Sequence, residues 1–157
     1  MKIQTGILKI TLIVIGMIAL LIGYLLTLGL ISSLADHDIY FIKVLFYSVL
    51  YLALFNSFVA LSLIYNILLL IDKDTLFTSK AIKKVGLIKK ISILTFFILL
   101  GIMPMVGHIV RLTNFTSIIP FAIIINISPL IFSAFVGVME KLFKKMIQIK
   151  SENDLTV

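Results

Sequence analysis

Ile10–Ala35, ITLIVIGMIALLIGYLLTLGLISSLA, runs for 26 residues without a lysine, arginine, aspartate or glutamate. A helix that crosses a membrane needs about 20 apolar residues, because the hydrocarbon core is ~30 Å thick and a helix rises ~1.5 Å per residue. The same kind of stretch recurs three times, as Val44–Ile71 with 28 residues, Ile91–Val110 with 20 and Leu112–Met139 with 28. These stretches hold 102 of the 157 residues, and the remaining 55 fall in five pieces of at most 19, none long enough to fold alone. The chain therefore reads as an all-α integral membrane four-helix bundle made of two transmembrane hairpins, a single membrane domain over 1–157. The spans are expected at about 10–34, 44–70, 89–109 and 118–139, with a polar loop at 72–90 and a tail at 140–157. The longer stretches exceed the hydrocarbon thickness, so their ends reach the headgroups or the helices tilt.

Composition agrees. Hydrophobic residues make up 61% of the chain and charged residues 13%, against roughly 45–50% and about 25% in a soluble domain. A disordered chain would lack this apolar content, and a soluble globule of this size has too much surface to hide it. No cysteine is present, which removes disulfides, thiolate metal sites and cysteine nucleophiles. No tryptophan is present either, so an interfacial aromatic belt would fall to tyrosine and phenylalanine. The Ser33-Leu34-Ala35 triplet resembles a signal-peptidase site, but the apolar run before it is longer than the ~7–15 residues of a signal core. It is read as a retained span.

The net charge of +7 would suggest nucleic acid in a soluble protein. Here its placement reads as membrane orientation, and no direct nucleic-acid binding is expected. Twelve cations lie on one side of the four spans: Lys2, Lys9, Lys73, Lys80, Lys83, Lys84, Lys89, Lys90, Lys141, Lys144, Lys145 and Lys150. Only Lys43 and Arg111 lie on the other. The positive-inside rule then puts both termini and the middle loop in the cytoplasm of a cell membrane.

Inside the spans, small and polar residues fall on single helical faces: Gly16, Ala19, Gly23 and Thr27 in the first, Ala53, Asn56, Ser57 and Ala60 in the second, and Ala122, Asn126, Pro129, Ser133 and Gly137 in the fourth. Such faces let helices approach closely. The Gly16/Gly23 face would also suit a homodimer. A polar path lined by Asn56, Asn66 and Asn126 is the competing reading, but known pathways usually carry ionisable groups and these spans have none at mid-depth. Pro104 and Pro129 each free a carbonyl four residues back, at Leu100 and Ile125, and predict bends.

On the outer side, Asp36, His37, Asp38, His108 and Arg111 lack metal-ligand spacing and read as solvated loops, with Arg111 paired to Asp36 or Asp38 and His37 a weak pH sensor. His108–Ser117 is polar enough to turn the chain, with Ser117 an N-cap ahead of Pro120. On the lysine-rich side, Thr78 reads as an N-cap, with Phe77 stapling onto Ile82. From there Lys80, Lys83, Lys84 and Lys90 share one helical face, opposite Ala81, Ile82, Val85, Ile88 and Ser92, with Lys89 near the edge. A basic amphipathic helix of this kind lies along an anionic leaflet. The tail continues the fourth helix, with Met139, Leu142, Phe143, Met146 and Ile147 opposed by Glu140, Lys141, Lys144, Lys145 and Gln148.

These two segments carry a resemblance. Asp72–Leu87, with Phe77-Thr78 ahead of a basic helix, resembles the middle loop of the bacterial membrane-protein family known as domain of unknown function 2975, although Leu76 stands where that family has a proline. Glu152-Asn153-Asp154-Leu155-Thr156-Val157 is similar to its acidic ending. The resemblance implies four spans and no defined catalytic residue. It also implies a pairing with a small helix-turn-helix regulator, beside which such proteins are often encoded.

No paired carboxylates, metal-protease motif or Ser/His set at matching depth is present, so an enzyme is not expected and no catalytic, cofactor or metal residue is assigned. The expected function is a regulatory or interaction protein with a cytoplasmic docking surface. Its expected partners are anionic lipids, a cytoplasmic transcriptional regulator and further copies of itself. A small transporter, channel or transporter accessory subunit is the alternative.

Overall fold

The computed structural model describes residues 2–36, 40–72 and 78–154. Helix α1 spans Lys2–Ala35 and α2 spans Phe41–Asp72. Helix α3 runs over Ser79–Leu99, passes through a 3-10 turn at Leu100–Ile102 and continues as α4 over Met103–Thr113. Helix α5 covers Ile118–Asp154. The described residues contain no strand, and Thr5–Ala35, Phe41–Asp72, Ser79–Thr113 and Ile118–Ile149 are each long and apolar enough to cross a membrane. The chain is a multi-pass helical membrane protein. The 37 residues of α5 would measure ~55 Å, well beyond a ~30 Å hydrocarbon core. The tail is thus a helical extension of the fourth span.

Two prolines behave differently. Pro104 cannot donate to Leu100, and the backbone there tightens into the 3-10 turn, where the Met103 N–H donates to the Leu100 carbonyl. Pro129 sits inside α5 and leaves the Ile125 carbonyl without its helical donor. The Ser128 hydroxyl donates to that carbonyl at 2.8 Å, so α5 continues unbroken. In lipid no water could take that place.

The turn between α4 and the next helix is tighter than the polar run 108–117 predicts. Helix α4 continues to Thr113, and Asn114, at φ 54°, ends it in the left-handed conformation with its N–H on the Val110 carbonyl at 2.9 Å. Residues 114–117 alone make the connection. Ser117 directly precedes α5, and Pro120 lies in its first turn.

Packing follows chain order: α1 lies on α2, α2 on α3, and α3 most extensively on α5. The small-residue face of α1 meets α2. Ala19 is buried. A Cβ at Gly23 would stand 2.9 Å from Leu54 Cδ2, so α1 and α2 approach closely there and the Leu54 side chain would have to shift to admit one. Thr27 accepts a hydrogen bond from the Tyr51 hydroxyl at 3.0 Å and donates to the Gly23 carbonyl at 2.7 Å. Gly23 thus faces a helix of its own chain, whereas Gly16 has open space around it. The expected Gly16/Gly23 homodimer face is accordingly half taken by α2. Most of the remaining α1 surface is exposed apolar side chain, as lipid requires.

Candidate functional site

The patterned polar residues gather at the end of the bundle that holds both termini. Thr78 occupies the N-cap position of α3 with extended backbone (φ −122°, ψ 156°), and its carbonyl accepts from the Ala81 and Ile82 N–H groups. No side-chain cap hydrogen bond forms, so the expected hydroxyl cap is replaced by backbone bonding. The Phe77 staple lies outside the described residues. Downstream, the face opposite the lysines is buried: Ala81, Val85, Ile88 and Ser92 are all covered. Val85 and Ile88 form a core with Val136 of α5, flanked by Leu63, Ile64, Ile67 and Phe143. The apolar stripe expected to lie on a leaflet is therefore spent on helix–helix packing, because α5 extends far enough to cover it.

The charged face of the same end is open. Lys80, Lys83 and Lys90 of α3 are exposed, as are Lys141, Lys144 and Lys145 of α5. Glu140 stands between the two helices, with one carboxylate oxygen 2.7 Å from Lys144 and the other 3.7 Å from Lys89. On the first hairpin, Lys9 pairs with Asp72, two side chains each three-quarters buried. That pair ties the lysine-rich ends of α1 and α2 together.

A groove of about 510 Å³ at mid-depth is lined by residues of α1, α2, α3 and α5. Asn56, Ser57, Ser92, Thr95 and Ser128 line it among apolar residues. The four hydroxyls each donate to a carbonyl of their own helix. The Asn56 amide nitrogen is buried without a hydrogen-bond partner. The three asparagines do not share a path: Asn126 lines a separate cavity near the turn between α4 and α5, and Asn66 bonds the Ser62 carbonyl of its own helix at 2.9 Å.

At the end of the bundle away from the termini Tyr40 lies between Lys43, 5.1 Å above its ring, and the His108 ring, 5.1 Å away and tilted by 56°. Arg111 is exposed and makes no ion pair with Asp36; Asp38 and His37 lie outside the described residues. No cluster of potential metal ligands occurs among the described residues. Sequence reasoning missed the tyrosine contacts: besides Tyr51, the Tyr47 and Ser33 hydroxyls lie 3.4 Å apart between α1 and α2. The signal was present as tyrosines at helical spacing in α2, but their partners lie on another helix.

The family model described as "Protein of unknown function (DUF2975)" matches residues 32–157, from the end of α1 to the last residue. The chain belongs to this family. The resemblance carried by the middle loop and the acidic ending is thereby confirmed. The chain is also 29% identical over 158 residues to the "Uncharacterized membrane protein YoaS" of Bacillus subtilis (strain 168), covering 99% of each protein. No solved structure matches. The family is one of uncharacterised multi-pass membrane proteins, and nothing in the match points to an enzymatic family.

Proposed function

We propose that this protein is a non-enzymatic, cell-membrane regulatory or interaction protein. In this reading both termini are cytoplasmic and the packed ends of α3 and α5 are its docking surface. The observation that carries the reading is the division of labour on those ends. Ala81, Val85 and Ile88 are buried in the bundle while Lys80, Lys83, Lys90, Lys141, Lys144 and Lys145 remain exposed on one side of the membrane. A lysine face whose apolar backing is already occupied is free to meet an acidic protein surface. A small helix-turn-helix regulator is the proposed partner.

The test is crosslinked purification from native membranes, comparing wild type with Lys80→Glu/Lys83→Glu. Those side chains are exposed, so the fold should survive the change. Recovery of the regulator with wild type and its loss with the variant is expected. Equal recovery from both, or no cytosolic protein from either, would contradict the proposal.

A second reading, a transporter, channel or accessory subunit, draws on the groove and its unpartnered Asn56 amide. Flux across liposomes that falls in Asn56→Leu would favour it. Absence of flux for ions and small solutes would remove it.

A further inference from the structure

Beside Glu140, α3 and α5 leave a notch of about 320 Å³, a volume at the lower end of the ~300–1,000 Å³ common for ligand sites. Lys89, Lys141 and the buried Ser133 supply its polar lining, and Ile93, Leu130 and Val138 its apolar lining. No residue of α1, α2 or α4 contributes, so the notch opens sideways, toward lipid. The Ser133 hydroxyl donates to the Lys89 carbonyl at 3.3 Å and pins the two helices where the notch begins. The Lys89 stem passes beside Gly137, at ordinary contact distance: a Cβ there would lie 3.5 Å from Lys89 Cε.

Charge does not close within this group. Glu140 is the one carboxylate beside these lysines among the described residues, and Lys144 holds it more tightly, at 2.7 Å, than Lys89 does at 3.7 Å. The Lys89 side chain remains 42% exposed, and Lys141 has no carboxylate partner among the described residues. Both lysines stand where the charge-free stretches of the third and fourth spans end, the depth of lipid headgroups, and the walls toward mid-membrane are apolar. An anion that fits must therefore bring hydrocarbon with it.

We propose that this notch is a binding site for an anionic glycerophospholipid. The phosphodiester sits between the Lys89 and Lys141 ammonium groups, and an acyl chain lies along Ile93 and Leu130. Basic pockets between spans at the lysine-rich leaflet are suited to such headgroups. The proposal needs the spans but not the docking of a protein partner, so the two readings can fail separately.

The test uses full-length protein in phosphatidylcholine nanodiscs, titrated with phosphatidylglycerol of the same acyl composition. Thermal unfolding and native mass spectrometry provide the readouts. Wild type is expected to gain thermal stability and retain a bound phosphatidylglycerol. Lys89→Gln/Lys141→Gln should bind it at least fivefold more weakly, whereas Lys80→Gln/Lys83→Gln, with the same charge change outside the notch, should bind as wild type does. If the double variant fails to fold, Lys141→Gln alone decides, since that exposed side chain holds no carboxylate. Three results would each overturn the proposal: an equal effect from added phosphatidylcholine, an equal loss in the control variant, or full displacement by millimolar inorganic phosphate, which would mean a free-anion site.

Discussion

Ser128 shows how single residues settle local problems that lipid makes acute. The hydroxyl bonds the carbonyl that Pro129 orphans, and no solvent can substitute for it. Ser128→Ala should lower stability by about 1 kcal/mol, the order found for hydrogen bonds within membrane bundles, read as a lower unfolding temperature in detergent. Ser128→Ala/Pro129→Ala should recover most of that loss, because the backbone N–H returns to Ile125. Gly101 poses a steric problem instead. A Cβ there would lie 2.6 Å from Val49 Cγ2, and valine has little rotamer freedom with which to yield. Gly101→Ala should cost about 1–3 kcal/mol by overpacking, measured in the same assay. An unchanged melting temperature would show that α2 and the 3-10 turn are not in contact as described.

At the scale of elements, the first hairpin is held at both ends by polar contacts between helices. Lys9 and Asp72 are 63 residues apart yet paired, and Tyr51 bonds Thr27 near the opposite end. A double-mutant cycle with Lys9→Gln and Asp72→Asn should give a coupling on the order of 1 kcal/mol, since both groups are three-quarters buried but still partly screened. Zero coupling would contradict the pairing. The turn between α4 and α5 makes a separate demand: Asn114→Val places a β-branched residue at φ 54° and should destabilise by ~1–2 kcal/mol, whereas Asn114→Gly should be tolerated. Much of this was legible in the sequence. Charge gaps marked the four apolar helices, and the period of Gly16, Ala19, Gly23 and Thr27 marked a packing face. That spacing names a face but not its neighbour, so α2 as the partner of Gly23 was out of reach. The same limit applied to Ala81, Val85 and Ile88. An amphipathic stripe looks alike whether it meets a leaflet or another helix, and only the length of α5 decides.

At the scale of the whole molecule, apolar surface is turned outward, and most polar groups bond a carbonyl of their own helix, pair between helices or gather at the ends. That arrangement is stable only when lipid is the solvent. The candidate surface was partly legible: the lysines of α3 and α5 stood out by pattern, but Glu140 as their shared counter-charge required the two helices to be seen together. Function hangs on which side those lysines face, and the absence of native cysteines makes that directly measurable. Single cysteines replacing Lys80 and Asn114 should be treated with a membrane-impermeant maleimide on intact cells. Position 114 should label at once and position 80 only after permeabilisation. Labelling of position 80 on intact cells would place the lysine surface outside and contradict this orientation.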